Sequence, residues 1–289
     1  LYWLGIYIIT SYFALRSEIA TVSSIIIGCE LTRSSLKIHA YFREKLLYGF
    51  PDLHKKYIEF KPKHIEEKPV APSIVISSIG VELQRFAYFF FCPSLIYRDN
   101  YPRLKQIRWK FVFSNLLNFL SCIMFFYVLV RYNIEPLMKN YSISKHYSLN
   151  QFIYDTLSLA VPGVAFLLVG FFMFLHSWLN LFSELLKHGD RRFYEDWWNC
   201  TNFEEYYRKW NMVVHEWLYY YVYNDAIRFS QGKLNKHIAK SLVFFVSVIV
   251  HEIVVVYYFQ FFYPVLSLFF GGPGILFTYL KTKKRKYNL

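Results

Sequence analysis

A histidine and a glutamate interrupt the most apolar stretch of this 289-residue sequence. His251 and Glu252 lie between the uncharged runs 241–250 and 253–259. A charged side chain at the centre of a membrane helix costs about 2.5–3.5 kcal/mol on insertion scales, so such a pair usually has a function. His251 is a candidate general base, because a histidine titrates near neutral pH, and we expect it to be buried away from water. A neutral histidine hydrogen-bonded within a helix bundle is the alternative.

Two neighbours of this histidine bear on its chemistry. Ser247 lies four residues earlier, on the same face of a helix, which raises a nucleophilic serine as a possibility. Packing or substrate contact is the favoured role, because helical serines commonly bond back to the helix backbone. Glu252 points about 100° away from His251, so we expect it to pair with another helix.

Aromatic and charged residues are concentrated upstream, in residues 176–240. The segment FYEDWWN, residues 193–199, holds four aromatic residues, two carboxylates and an amide, and Arg208, Asn211 and His215 follow it. Arginine, lysine, tyrosine and asparagine beside an intramembrane base would suit a large anionic cofactor with an apolar tail. An interfacial aromatic belt or a solvated amphipathic helix would have a similar composition.

The composition predicts an all-α membrane protein. Hydrophobic residues make up 55% of the chain and aromatic residues 22%. Stretches of about 18 or more apolar residues are long enough to cross a bilayer as helices. We predict spans at 112–130, 152–175 and 241–270, the last with a kink near Pro264. Weaker apolar segments are predicted at 1–14, 18–36 and, along the interface, 78–96, and the polar segment 37–73 is predicted to be a cytosolic linker.

Basic residues predict which segments face the cytosol. The formal net charge is +13, and twelve Lys and Arg fall in 37–107, three in 131–151 and eight in 186–236. The positive-inside rule places the first and third segments, including the motif region 176–240, in the cytosol and the second across the membrane. Because the charges lie between apolar spans, we expect them to attract anionic head groups or an anionic substrate rather than nucleic acid. The four scattered cysteines have no metal-ligand or disulfide spacing.

FYEDWWN resembles the F-Y-x-D-W-W-N motif of membrane-bound O-acyltransferases that esterify sterols or diacylglycerol. Further stretches agree in order, namely LIYRDNYPR (95–103), ELLKHGDRRFY (184–194), NMVVHEWLYYYVY (211–223) and SVIVHE (247–252). The set is more similar to the sterol O-acyltransferase branch. The resemblance implies a helical bundle at the endoplasmic reticulum that takes fatty acyl-CoA as co-substrate, needs no metal or other cofactor, and forms homodimers or homotetramers.

The resemblance also assigns site residues. It implies that His251 is the catalytic base and that Asn211 is its partner. Positions that contact acyl-CoA in the family correspond to Tyr207, Arg208, Tyr223, Lys236 and Ser247. The motif residues are Phe193, Tyr194, Asp196, Trp197, Trp198 and Asn199.

The sequence leaves the acceptor open. A sterol is the first choice, diacylglycerol is the alternative acceptor, and a non-enzymatic sterol-binding or transport protein is the alternative of another class. The whole chain, 1–289, is predicted to form one domain of this family. Because the family has a longer N-terminal part and further helices after the histidine, we expect the chain to be incomplete at both ends.

Overall fold

A computed structural model of the chain describes residues 21–49, 78–140, 148–269 and 271–272. Helices dominate these residues, and an isolated bridge between Arg103 and His188 is the β-type pairing found among them. This agrees with the predicted all-α class. The chain forms two compact units, one from residues 1–100 and 194–289 and the other from residues 101–193. The prediction of a single domain over residues 1–289 stays a prediction.

The unit formed by residues 101–193 is a hairpin of two long apolar helices. The other unit contains the two preceding helices, α1 (Thr21–Gly49) and α2 (Ile79–Phe91). The hairpin begins with α3, Trp109–Leu129, which continues through a π-helical turn, Val130–Ile134, into α4, Glu135–Asn140. It returns as α5, Leu149–Phe171, a π-helical turn, Phe172–Trp178, and α6, Leu179–Leu185.

Aromatic contacts hold the hairpin together. The rings of Phe126 and Phe166 lie 4.5 Å apart near its far end, and those of Phe119 and Trp178 lie 4.9 Å apart closer to its start. Ser148 caps the returning helix by accepting a hydrogen bond from the backbone N–H of Gln151. Because such contacts pair early residues of α3 with late residues of the return, the two helices are antiparallel.

The remaining helices of the other unit carry the residues with candidate chemistry. After a 3₁₀ turn at Trp197–Asn199 come α7, Phe203–Trp210, and α8, Met212–Leu218. A π-helical turn, Tyr219–Asn224, leads into α9, Asp225–Phe229. The long helix α10, Lys236–Phe259, and the short helix α11, Val265–Phe269, follow.

Helix α1 packs against α10 at a glycine. A Cβ atom placed on Gly28 would lie 3.0 Å from the Cβ atom of Tyr257, closer than side chains normally approach. Farther along α1, the indole N–H of Trp217 donates to the carbonyl of Leu36 at 3.0 Å, and Arg43 forms an ion pair with Asp225. These long-range contacts place α1 beside both α10 and the α8–α9 segment.

The three predicted membrane spans are confirmed as long apolar helices. Those long and apolar enough to cross a membrane, among the described residues, are Trp109–Leu137, Leu149–Leu185 and Lys236–Phe259. The predicted break near Pro264 is also found, because α10 ends at Phe259, the next residue Gln260 is left-handed with φ of 61°, and α11 begins at Val265. The predicted segment 1–14 lies outside the described residues.

The predicted linker at 37–73 was wrong for its first part. Residues 37–49 continue α1, and the side chain of Lys37 is buried, with 2% exposure. Its ammonium group donates to the carbonyls of Phe89 and Cys92, at 2.5 and 2.6 Å, at the end of α2. The last carbonyls of a helix have no partner within it, so a lysine from another helix can be buried there with its hydrogen bonds made. Residues 50–73 lie outside the described part of the chain.

Candidate active site

His251 lies on α10 with one ring nitrogen bonded to its own helix. Nδ1 is 2.7 Å from the backbone carbonyl oxygen of Ser247. A carbonyl oxygen can only accept, so Nδ1 carries the hydrogen and, in the neutral ring, Nε2 carries the lone pair. This is the tautomer that a general base acting through Nε2 needs. The contact uses the backbone of Ser247 and not its hydroxyl.

The imidazole of His251 is exposed in this structure, which contradicts the expectation of burial. The reason is the orientation of α10. Its buried positions include Val248 and Glu252, and one residue step turns a side chain by about 100° around the helix axis. The face that packs on the rest of the unit therefore holds the glutamate, and the histidine lies to its side.

Glu252 pairs with a neighbouring helix, as predicted. Its Oε2 accepts hydrogen bonds from the backbone N–H and the hydroxyl of Ser267, at 3.0 and 3.2 Å. Ser267 is in the first turn of α11, where backbone N–H groups have no partner within the helix. Glu252 therefore anchors the start of α11 directly beside the residue that carries the candidate base.

The motif FYEDWWN forms a turn that holds α7. The ammonium of Lys209 lies 2.7 Å from Asp196, and the backbone N–H of Glu195 donates to the carbonyl of Lys209 at 3.0 Å. The hydrogen bond from Lys209 holds the pKa of Asp196 below its ordinary value, and the same contact raises the pKa of Lys209. The motif carboxylate thus contacts the last turn of α7.

The aromatic residues of the motif have separate environments. The ring of Trp197 meets that of Trp210 edge to face at 4.7 Å and that of Tyr206 at 5.9 Å, both on α7. Trp198 is 54% exposed, and Asn199 is also exposed. Phe193 is buried within the other compact unit, and Tyr194 is half-buried. The motif is therefore a support for α7 in this structure.

Helix α7 in turn contacts α10 through two side-chain pairs. The ring of Tyr207 meets that of Phe244 edge to face at 5.6 Å, and Lys240 forms an ion pair with Glu204 at 2.7 Å. Burial raises the pKa of Tyr207, which keeps its phenol neutral at physiological pH. The neighbouring Arg208 is exposed at the surface of α7.

These contacts fall on the face of α10 that carries the histidine. Lys240, Phe244, Ser247 and His251 are spaced by four, three and four residues, so they form one stripe along the helix. The stripe is about 16 Å long at 1.5 Å per residue. It leads from a charged end near α7, past an aromatic side chain, to the candidate base.

Asn211 occupies the junction between α7 and α8. Its side-chain Oδ1 accepts a hydrogen bond from the backbone N–H of Val214 at 3.1 Å, which caps α8. The cap uses the oxygen and leaves the amide N–H groups as the donors available for substrate. Tyr207 and Arg208 lie in the last part of α7, within four residues of this junction in the sequence. Asn211 and His251, the predicted catalytic pair, lie on different elements.

Tyr223 stands at the end of a column of rings. It stacks on Tyr219 with ring centres 5.6 Å apart and planes 14° apart, and Tyr219 stacks on His215 at 6.4 Å. The column runs from α8 through the π-helical turn Tyr219–Asn224. Single π-helical turns are often found at functional sites.

Lys236 is the first residue of α10, and its side chain is exposed. Asn235 caps the helix by accepting from the backbone N–H of His237 at 2.9 Å. Lys236 therefore lies about one turn before Lys240, where the stripe towards His251 begins.

Sequence reasoning missed several residues that position this region. Lys209 and Phe244 were not singled out, although both make the contacts that connect the motif to α10. Tyr219 could have been found, because it is four residues from both His215 and Tyr223, the spacing of neighbours on one helix face. The contact between Lys209 and Asp196 of the motif had no comparable local signal in the sequence.

Comparison with known proteins gives a consistent answer. The model of the membrane-bound O-acyltransferase family matches residues 2–280. Sterol O-acyltransferase 1 of Mus musculus is 34% identical over 278 residues, which cover 96% of this chain and 48% of that protein. Sterol O-acyltransferase 2 of Homo sapiens is 40% identical over 209 residues, covering 71% of this chain and 40% of the relative.

Mouse sterol O-acyltransferase 2 is 44% identical over 190 residues, which cover 65% of this chain and 36% of that protein. The chain spans about half the length of the curated relatives that it matches most fully, with 48% of the first covered. A family match over nearly the whole chain and long apolar helices both confirm the resemblance predicted from the sequence. The chain belongs to the membrane-bound O-acyltransferase family.

Proposed function

We propose that the protein transfers a fatty acyl group from acyl-CoA to the hydroxyl of a sterol, giving a steryl ester and CoA. The names of the relatives support the sterol as acceptor. The observation that carries the proposal is the stripe on α10, from Lys240 through Phe244 to His251. The end at Lys240, which is paired with Glu204, lies one turn from the exposed cation Lys236, and the aromatic ring and the base follow along the helix. This order suits an anionic head group with a reactive thioester.

The chemistry follows from the tautomer of His251. Nε2 takes the proton of the sterol hydroxyl while the oxygen attacks the thioester carbonyl, and a tetrahedral intermediate forms. The intermediate collapses by breaking its C–S bond, and the imidazolium returns the proton to the departing thiolate. The Nδ1–H bond to the Ser247 carbonyl keeps the ring in one orientation through both steps.

Asn211 is proposed to bind the thioester carbonyl or the oxyanion that develops from it. Its oxygen is held by the α8 cap, so its N–H donors keep a defined direction. Removing one such donor from an oxyanion site costs about 3–4 kcal/mol in other enzymes. A further role in holding the α7–α8 junction would affect substrate binding as well.

The acyl-CoA head group is proposed to bind along α7 and the start of α10. Arg208 and Lys236 are exposed cations that can pair with phosphates, and Tyr207 and Tyr223 offer aromatic surface and hydroxyl groups. Ser247 lies near the proposed position of the thioester, one turn before His251. The proposed reaction uses no metal or other cofactor.

The test is an acyltransfer assay on microsomes that contain the full chain, with labelled oleoyl-CoA and either cholesterol or diacylglycerol. His251→Ala is expected to lower steryl ester formation by roughly 10²–10⁴-fold, the usual contribution of a general base. His176→Ala is the matched control, because this half-buried histidine lies on the hairpin, outside the proposed acyl-CoA site. It should retain activity.

Three results would contradict parts of the proposal. Full activity of His251→Ala would remove the base. Ester formation from diacylglycerol but not cholesterol would replace the acceptor. Sterol binding without esterification by the unchanged protein would favour a binding or transport role. The endoplasmic reticulum as the site of action and assembly into homodimers or homotetramers are also proposed, and fractionation of cells and mass measurement in detergent test them.

A further inference from the structure

Two chain segments next to the membrane hairpin are joined side by side. Residues 101–108 precede α3 and residues 186–192 follow α6. The backbone N–H of Leu104 donates to the carbonyl of Lys187 at 2.9 Å, and that of Gly189 donates to the carbonyl of Pro102 at 2.8 Å. A Cβ atom at Gly189 would lie 3.0 Å from the Pro102 carbonyl oxygen, so glycine permits this close approach.

A buried carboxylate fastens the joined segments to the helices. Glu184 has no exposed surface and accepts hydrogen bonds from the backbone N–H of Arg108, at 2.7 Å, and from the guanidinium groups of Arg108 and Arg191. The carboxylate belongs to α6, whereas Arg108 directly precedes α3. The start of one span and the end of the other are thereby held together in one rigid structure.

The surface of this structure is strongly basic. We call residues 101–110 and 186–192 the basic platform. It contains seven basic residues and one acidic residue, Asp190, and Glu184 lies buried beneath it. The basic residues are Arg103, Lys105, Arg108, Lys110, Lys187, Arg191 and Arg192, of which five are exposed and the other two half-buried.

The basic platform lies where the chain enters and leaves the apolar spans. One candidate span begins at Trp109 and the other ends at Leu185, so the flanking charges fall at the level of the lipid head groups. Trp109 is 57% exposed, and tryptophan prefers this interfacial depth.

An exposed apolar stripe continues from the platform into the span. Trp109, Phe113 and Leu117 follow one another at four-residue spacing on one face of α3, and Phe113 and Leu117 are 63% and 66% exposed. A ligand with an anionic head and long apolar chains would contact both the cations and this stripe. A soluble phosphate or a nucleotide would contact only the cations.

We propose that the basic platform binds the head groups of anionic phospholipids, with their acyl chains along the Trp109–Leu117 stripe. The site belongs to the hairpin unit and does not depend on the proposed acyl transfer. Each basic residue near the membrane surface strengthens binding to anionic lipid by on the order of fivefold. Several such residues in a fixed arrangement give a preference over zwitterionic lipid.

The experiment uses the full chain reconstituted in phosphatidylcholine vesicles with a trace of spin-labelled phosphatidylserine or spin-labelled phosphatidylcholine. The fraction of label immobilised by the protein measures the preference for each lipid. The double variant Lys105→Gln and Lys110→Gln is expected to lower the preference for phosphatidylserine by up to about 25-fold, on the order of fivefold for each of the two charges removed. Immobilisation of phosphatidylcholine should not change.

The control variant is Arg131→Gln with Lys139→Gln, which removes two exposed cations from the opposite end of the same span. It should keep the preference, and so should Lys105→Arg with Lys110→Arg, which retains both charges. An unchanged preference in the glutamine variant of the platform would overturn the proposal, as would an equal loss in the control. Loss of CoA binding with the lipid preference intact would assign the platform to the nucleotide and also overturn it.

Discussion

Glu184→Gln tests the buried ion cluster that joins the ends of the membrane hairpin. The glutamine keeps one acceptor oxygen but replaces the other with an NH₂ group that faces two guanidinium donors. Breaking a buried ion pair by changing one partner costs about 3–5 kcal/mol when both groups are buried. Here Glu184 is fully buried, Arg191 is 17% exposed and Arg108 is 58% exposed, so solvent screens part of the cluster.

We therefore expect a loss of about 2–4 kcal/mol from Glu184→Gln, because water screens the more exposed arginine. A chain of this size loses roughly 2 °C in Tm for each kcal/mol, so its Tm should fall by about 4–8 °C. A thiol-reactive dye measures the transition in detergent as an increase above the signal of the exposed Cys29, because Cys92, Cys122 and Cys200 are buried until the protein unfolds.

Glu135→Gln is the matched control, since it makes the same chemical change in the same hairpin. Glu135 pairs with Arg131 and Lys139 at i,i+4 spacing on an exposed helix surface, where ion pairs contribute little. Its Tm should stay close to that of the unchanged protein. A Glu184→Gln variant that melts together with Glu135→Gln would refute the reasoning that this carboxylate holds the hairpin ends.

Three further predictions concern the other unit. Gly28→Ala should lower Tm through an overpacking cost of about 1–3 kcal/mol, because its Cβ would meet Tyr257, whereas Gly163→Ala, with open space around it, should not. The contact with Lys209 lowers the pKa of Asp196, so it stabilises the folded protein above the ordinary aspartate pKa, and this stability is lost as the pH falls through the lowered value. Melting curves from pH 7 to pH 3 should therefore show a smaller loss of stability in acid for Asp196→Asn. Arg208→Gln should raise the KM for acyl-CoA several-fold with little change in kcat, as steady-state kinetics would show, if the exposed guanidinium binds phosphate.

Local sequence patterns predicted the parts of the fold that depend on neighbours along the chain. Apolar runs at 112–130, 152–175 and 241–270 became long helices, because length and hydropathy suffice to specify a membrane helix. The break before Val265 followed from Pro264, which cannot donate a backbone hydrogen bond. The pairing of Glu252 with another helix followed from its angular position beside His251.

The same patterns failed where a distant segment decides the outcome. Residues 37–49 have a polar composition that predicts a linker, yet they continue α1. Lys37 is accommodated there because the end of α2 supplies two carbonyl acceptors, 52 and 55 residues away. Burial of a charge depends on partners that a local window does not contain.

For the candidate site, the sequence by itself determined the residue types: a histidine and a glutamate in an apolar helix, and an aromatic, charged motif upstream. Tertiary structure decided what each of them contacts. It showed His251 exposed, with Nδ1 bonded to the Ser247 carbonyl, and the motif carboxylate Asp196 clamped to Lys209. The tautomer of a ring and the partner of a carboxylate depend on distances of a few ångströms between atoms, and residue identities and spacing do not specify those distances.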